Sequence, residues 1–376
     1  MPSAFIHSDY LQQFDYGEEH PLKMLRLKLT YELLKAYGLF EAPNVSVVEM
    51  EPCTRKQAEL VHNYVYLDTL ANIDYGYLPE NLMKYGMGHG DCPAFKGVYE
   101  GSMLSTGGSV QAARLVVEGG ARVAFNTSGG LHHAFPSRAA GFCYINDPAV
   151  AVAYLVSKGY RVAYIDIDAH HGDGIQQIFY HTDQVLTISL HENGHFLFPG
   201  TGFPEEYGAG FGKGYSINLP LMSGTGDDIF TWAFMEIVPP LIDKFSPDVI
   251  VTQLGCDTLA DDPLTHLRLS THGFVKMIET FKSFRLPWVA LGGGGYNVPN
   301  VARAWALAFS VMAGVELPDE LPESYIKLLK EHGLEGQCLR DPERTCQTPE
   351  DHNVQRQSAE EMLVRLKREA FPLIGL

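Results

Sequence analysis

Apolar and polar positions in the middle of the chain alternate between two patterns. Short, continuous, β-branched runs lie at 122–126, 161–168, 184–190, 248–254 and 288–291. They lack a polar face, as strands buried on both sides of a parallel sheet do. Between them, stretches of helical period run over 97–117, 148–158, 228–244, 271–284 and 301–315. Strands alternating with helices predict an α/β fold with a parallel sheet covered on both faces. The N-terminal part adds helices at 22–37 and 55–69, and the more charged tail after Pro318 is expected to be helical and peripheral. No repeat and no long Pro/Ser linker divides the chain, so a single domain over 1–376 is expected.

Charge narrows the function. The 376 residues carry 28 Lys+Arg against 45 Asp+Glu, a formal charge of −17. Such acidity argues against a nucleic-acid partner, which needs a basic face, and against an anionic membrane surface. The first lysine is Lys23, which leaves no basic segment ahead of an apolar leader. The longest uncharged run, 286–302, holds four glycines and two prolines and is no membrane span. Six cysteines (Cys53, Cys92, Cys143, Cys256, Cys338 and Cys346) form no CxxC pair and read as reduced thiols of a cytoplasmic protein.

The candidate chemistry sits where an open parallel sheet binds ligands, at the carboxyl ends of its strands. The 122 strand runs into Gly129-Gly130-Leu131-His132-His133, and the 161 strand ends in Asp166-Ile167-Asp168-Ala169-His170-His171-Gly172-Asp173. The 248 strand ends in Gly255-Cys256-Asp257 and the 288 strand in Gly292-Gly293-Gly294-Gly295-Tyr296. Asp166, Asp168 and His170 are spaced by two and share a face if extended. Two carboxylates facing a core are costly unless a cation neutralises them. Asp168 and His170, joined by Asp257, make an Asp/His/Asp set with room for a fourth ligand, as catalytic metal sites have. Such an oxygen-rich shell suits Zn²⁺ and leaves Fe²⁺ and Mn²⁺ open.

His132 and His133 are adjacent, so serving one site requires an irregular turn, which Gly129-Gly130 permits. They suit a general base and acid acting on a water whose pKa the metal lowers, each with an orienting carboxylate. Asp166 and Asp173 are the spare acids nearby. The glycine run lacks the Gly-Lys-Ser/Thr of a phosphate loop and could swing the Tyr296 hydroxyl over the site as an oxyanion donor. Any one of these histidines alone would be read as a core residue; four converging strand ends favour a site. Cys143 and Cys256 are expected to be small buried hydrophobes. His7, His20, His62, His89, His181, His191, His195 and His272 have no ligand-like company in sequence.

The ordered motifs Ser-Gly-Gly-Leu-His-His-Ala (128–134), Gly-Phe-Cys-Tyr-Ile-Asn (141–146), Asp-Ile-Asp-Ala-His-His-Gly-Asp-Gly (166–174), Phe-Pro-Gly-Thr-Gly (198–202), Gly-Cys-Asp (255–257) and Leu-Gly-Gly-Gly-Gly-Tyr (291–296) resemble the zinc-dependent histone deacetylases. The likeness is strongest to class I-type bacterial relatives, the acetoin-utilisation proteins, and covers about 5–316; residues 317–376 form the peripheral segment. The resemblance implies the single-domain arginase/deacetylase fold, with a central eight-stranded parallel sheet and helices on both faces. It implies zinc on Asp168, His170 and Asp257, and paired catalytic His132 and His133 oriented by Asp166 and Asp173. His133 corresponds to the general base, His132 to an electrostatic stabiliser, and Tyr296 to the group polarising the acetyl carbonyl. Gly141, Phe142 and Phe198 match a narrow acyl-lysine tunnel, Asp91 the rim acid that holds substrate backbone, and Leu264 an apolar rim position. The family also binds potassium. Asp166, Asp168, His170, Ser189 and Leu190 match one such site, and Phe179, Thr182, Val185 and Tyr215 the second.

The implied activity is removal of acetyl groups from N-ε-acetyl-lysine in proteins. The substrate it suggests is a metabolic enzyme such as acetyl-CoA synthetase. Lys23 stands at one inositol-phosphate position of the nuclear enzymes, but Pro263 and Pro299 replace two arginines, so no inositol-phosphate corepressor is expected. Alternatives are an acetylpolyamine deacetylase, a ureohydrolase of the same fold and a non-catalytic acyl-lysine binder. The ureohydrolase would want further Asp ligands where His132-His133 and the glycine turn stand.

Overall fold

The computed structural model describes residues 2–88, 90–342 and 348–376, so His89 and Cys346 lie outside the described residues. Among them, eight parallel strands form one sheet: β1 (Ser3–His7), β2 (Val45–Glu49), β3 (Val123–Asn126), β4 (Val162–Asp166), β5 (Val185–Glu192), β6 (Ser216–Leu221), β7 (Val249–Gln253) and β8 (Trp288–Leu291). Their spatial order is β2-β1-β3-β8-β7-β4-β5-β6. The four strands that end in candidate site residues, β3, β8, β7 and β4, are therefore consecutive neighbours at the centre. Their side chains are buried throughout, which is why they read as unbroken apolar runs.

The helices are α1 (Leu25–Ala36), α2 (Arg55–Ala58), α3 (Tyr64–Asp74), α4 (Val98–Val117), α5 (Asp147–Ser157), α6 (Asp173–Phe179), α7 (Asp227–Phe245), α8 (Thr271–Ser283), α9 (Val298–Ala313), α10 (Glu323–Glu331) and α11 (Pro349–Glu369). One layer packs α1 on α9, α9 on α8, α8 on α7 and α7 on α11; the other packs α3 on α4, α4 on α5 and α5 on α6. No helix of the described residues is long and apolar enough to cross a membrane.

The expected helix over 55–69 is two helices. Thr54 caps α2 in a reciprocal box with Gln57, and Asn63 caps α3 by accepting the Val65 N–H at 2.9 Å. Two capping residues nine positions apart start separate helices rather than one. The patterning also passed over β1, β2 and β6. β2 and β6 are the sheet's edges: β2 is half exposed, and β6 contains Pro220, which an edge strand tolerates. The tail is helical as expected, and α11 packs against β6 and α7 through buried Ala359, Leu363 and Leu366, so it covers an edge of the sheet. Arg356 stacks over Trp232 at 3.2 Å and Arg365 pairs with Glu205 at 3.1 Å. The described cysteines are free; Cys338 is exposed and the other four are buried.

Candidate metal centre and paired histidines

β4 stops at Asp166, and Asp168 and His170 lie in the irregular segment beyond it. Asp257 follows β7 in the neighbouring position. One ligand atom from each of Asp168, His170 and Asp257 lies within 4.8 Å of the others, and all three residues are buried. His170 Nδ1 is 2.8 Å from Asp257 Oδ2 and 3.1 Å from Asp168 Oδ1. Burial, then the neighbouring Asp168 charge, raises the Asp257 carboxyl above its ordinary value. Against burial, Asp168 and Asp257 raise the His170 pKa well above its ordinary value, yet its one Nδ1–H cannot satisfy both buried carboxylates, and a divalent cation among these three donors would neutralise them. The donor set therefore fits a metal.

The histidine pair occupies the predicted turn. Gly130 is left-handed (φ +93°), and this lets consecutive residues turn to one site. His132 Nδ1 bonds Asp166 Oδ2 at 2.7 Å, and His133 Nδ1 bonds Asp173 Oδ1 at 2.7 Å. The two Nε2 atoms face each other at 3.0 Å. Asp166 is held further by the Tyr164 hydroxyl at 2.6 Å, and Asp173 is the first residue of α6. Burial opposes charge on His132, but Asp166 and Asp168 outweigh it and raise its pKa. Burial, reinforced by the His132 charge, lowers that of His133. The pair thus divides into one imidazole favoured charged and one favoured neutral.

Tyr296 follows β8, with its N–H on Asp262 Oδ2 at 2.8 Å and its ring 6.4 Å from the His170 ring. Burial, then Asp257 and Asp168, holds its phenol far above the usual value, so its hydroxyl keeps its proton. Gly141 and Phe142 reach the same place. A Cβ on Gly141 (φ +51°) would lie 2.4 Å from His133 Cδ2, so only glycine lets this wall approach the imidazole. Phe142 is also left-handed (φ +67°), its carbonyl takes the Tyr16 hydroxyl at 3.1 Å, and its ring stands edge-on to Tyr296 at 5.7 Å. Phe198 packs 5.0 Å from the His133 ring and remains 44% exposed, as a wall open to solvent would. A pocket of about 280 Å³ touches His132, His133, Gly141, Phe142, Asp168, His170 and Tyr296. A second pocket of about 470 Å³ behind it shares Leu22, Arg26 and Leu131.

Asp91 and Leu264 do not line that pocket. Asp91 is exposed on the loop ahead of α4, and its carbonyl is 3.2 Å from His20 Nε2, whose ring packs 4.5 Å from Phe142. Leu264 is half-buried beside Asp262. Of the potassium positions, Ser189 is paired with Asp166 in the sheet register, its Oγ is 2.8 Å from His191 Nδ1, and Leu190 follows it on β5. At the second, the Phe179 carbonyl accepts Thr182 N–H (3.3 Å), the Tyr215 carbonyl accepts Thr187 N–H (2.9 Å), and Val185 opens β5.

Three supporting residues had no sequence signal. Arg26 of α1 is buried and donates Nη1 to the Gly293 and Gly295 carbonyls at 2.7 and 3.1 Å, clamping the turn that carries Tyr296. Asp262 anchors the same turn, and Gln253 bonds Asp168. His191, which stands apart in sequence, meets Ser189 and the Gly202 carbonyl.

A parallel α/β sheet with this centre at its strand ends defines a class, the arginase/deacetylase fold. Residues 20–312 match the histone deacetylase domain, and the chain belongs to that family of hydrolases. It is 40% identical to the acetoin utilization protein AcuC of Bacillus subtilis over 332 residues, 86% of this chain and 85% of that protein. It is 38% identical to human histone deacetylase 1 over 322 residues, 85% of this chain and 66% of that longer protein. A crystal structure of an HDAC homologue from Aquifex aeolicus superposes with a TM-score of 0.88 at 35% identity, covering 96% of this chain and all (100%) of that one.

Proposed function

We propose that the chain is a zinc-dependent lysine deacetylase that hydrolyses N-ε-acetyl-lysine in proteins to lysine and acetate. The observation that carries the reading is the buried Asp168/His170/Asp257 set beside the carboxylate-held His132–His133 pair. Zinc on those three residues would supply Lewis acidity toward the acetyl carbonyl and a water acidic enough to ionise near neutral pH. His133, the imidazole favoured neutral, takes the proton of the attacking water. His132, favoured charged, opposes the negative charge that develops. The Tyr296 hydroxyl donates to the oxyanion. As the C–N bond breaks, a protonated imidazole of the pair delivers its proton to the leaving amine. Gly141, Phe142 and Phe198 leave a slot for an extended alkyl chain, with Asp91 and Leu264 as rim contacts.

The likeness to a protein named for acetoin utilisation favours a metabolic enzyme, such as acetyl-CoA synthetase, over chromatin as the substrate. Free cysteines support a cytoplasmic enzyme. The family's two potassium ions are assigned to the carbonyls and hydroxyl around Asp166, Ser189 and Leu190, and to those of Phe179, Thr182, Val185 and Tyr215.

The test is hydrolysis of a fluorogenic acetyl-lysine peptide by metal-analysed protein, with and without a hydroxamate chelator. Chelator-sensitive turnover with about one zinc per chain is expected. Turnover of acetylputrescine without peptide turnover would transfer the reading to a small-molecule deacetylase, and bound zinc with no hydrolysis of any acyl substrate to a binder.

A further inference from the structure

Gln253 is the last residue of β7, fully buried, and lies opposite Asp166 of β4 in the sheet register. Its Nε2 is 2.6 Å from Asp168 Oδ2 and 3.2 Å from the Gly130 carbonyl, and its Oε1 accepts the Gly255 N–H at 2.8 Å. The orientation of the carboxamide is fixed by its partners. The oxygen faces a donor and the nitrogen faces two acceptors; reversal would oppose lone pair to lone pair and N–H to N–H. Each partner leads directly to the site. Gly130 precedes the His132–His133 turn, Asp168 belongs to the ligand set, and Gly255 precedes Asp257. The Gly294 N–H also donates to Asp168 Oδ2, at 2.7 Å, from the turn that carries Tyr296. One carboxamide therefore touches segments from three strand ends, and the carboxylate it holds is fixed from the fourth.

We propose that Gln253 is a positioning residue. It holds the Asp168 carboxylate in its ligating rotamer and sets the separation between the metal donors and the histidine pair. The inference rests on the metal site proposed above. Its Nε2 is also 3.5 Å from His132 Nδ1, the nitrogen already held by Asp166. Gln253 does not reach the facing Nε2 atoms or the substrate, and it acts through Asp168 and the Gly130 carbonyl. No other residue type supplies both functions at this length. Glu has neither N–H, Met has no hydrogen-bond donor, and Asn is one carbon short of Asp168. Groups that orient metal ligands in this way typically change metal affinity 10–100-fold when removed.

The experiment titrates zinc into the metal-free full-length protein against a competing chelator, for the parent, Gln253→Met and Gln253→Asn. Kinetics on an acetyl-lysine peptide follow at saturating zinc. The zinc Kd is expected to rise by about 10–100-fold in both variants. At saturating zinc, kcat is expected to fall while KM stays within about twofold. Asn keeps the polarity of the side chain, so it stands in if Met does not fold. An unchanged zinc Kd overturns the inference whatever the activity does. A rise in KM equal to the fall in kcat assigns Gln253 to general packing and overturns it as well. A parent protein that takes up no zinc overturns the proposed function instead, so the two failures are told apart.

Discussion

His132 and His133 face each other through their Nε2 atoms at 3.0 Å, while both Nδ1 atoms are pinned to carboxylates at 2.7 Å. With an Nδ1–H donated to each carboxylate, the facing nitrogens of the resting pair share one further proton, and a second reaches them only when the base takes it from water during turnover. The pair is a single acid–base unit whose titration belongs to both residues. In the proposed mechanism, removing the member favoured neutral removes the base. His133→Ala is expected to lower kcat/KM by about 10²–10⁴-fold, the usual range for a positioned base. His132→Ala is expected to lower it less and to move the pH profile of what remains. Steady-state kinetics from about pH 5 to 8, the usual range of maximal stability, check both; equal losses with identical profiles would deny the division of roles.

Tyr296 carries a hydroxyl that burial and the Asp257 and Asp168 carboxylates keep protonated. Tyr296→Phe removes this donor and nothing that ligates a metal. A fall in kcat of about 10²–10³-fold is expected, with metal content unchanged. Turnover near that of the parent would remove Tyr296 from oxyanion stabilisation.

Asp257 accepts the Ala169 N–H at 2.8 Å and contacts His170 Nδ1 at the same distance. Asp257→Ala deletes one of three donors, leaving too few for tight binding. Elemental analysis of the purified variant is expected to find metal well below stoichiometric, with activity lost in parallel. Full metal occupancy would take Asp257 out of the ligand set.

His62 is buried, and its Nε2 accepts the Asn146 N–H at 2.9 Å, so it must be neutral. Asn146 in turn donates Nδ2 to the His132 and Ala134 carbonyls at 2.8 and 2.9 Å. Burial pushes the His62 pKa down from 6.5 to about 4. Below pH 6.5 the unfolded chain takes up this proton and the native chain does not, so stability falls with pH until about pH 4. The loss across this window is about 3 kcal/mol. His62→Gln keeps an acceptor and does not titrate. Its denaturation midpoint is expected to depend less on pH than the parent's between pH 4 and 6.5, and to follow the same pH dependence as the parent's above it. Parallel curves would show that His62 contributes no linkage.

Leu366 of α11 is fully buried against the β6 edge and α7. Leu366→Ala is expected to cost about 2–5 kcal/mol, measured by urea denaturation. Peptide turnover at a temperature where the variant stays folded should match the parent, because α11 contributes no residue to the pocket around His132 and His133. A large change in KM would give the tail a part in substrate access.

The central strands and the chemistry at their ends were legible in the sequence because burial on both faces leaves an unbroken apolar run, and each run stops at unusual residues. β3, β4, β7 and β8, and with them His132, His133, Asp168, His170, Asp257 and Tyr296, follow from this. The edge strands β2 and β6 did not, because half-exposed or proline-bearing edges carry only a weak pattern. The break between α2 and α3 was written at Thr54 and Asn63, but helical period extends across a cap without showing it.

Pairing was decided by tertiary structure. Local sequence offered Asp166 and Asp173 only as spare acids, and the family resemblance alone paired them with His132 and His133 respectively. The sheet order and the Gly130 turn, placing β3 next but two to β4, bring Asp166 to His132 and Asp173 to His133. Arg26, Gln253 and Asp262 are ordinary residues in helix, strand and loop by any local reading. Each acquires its role from partners far off in the chain: Gly293 and Gly295 for Arg26, Asp168 and Gly130 for Gln253, and the Tyr296 amide for Asp262. Local sequence determines which backbone forms and which side chains are chemically able. A hydrogen bond between segments 34 to 269 residues apart depends on how the sheet closes, and that is fixed only when the whole core packs.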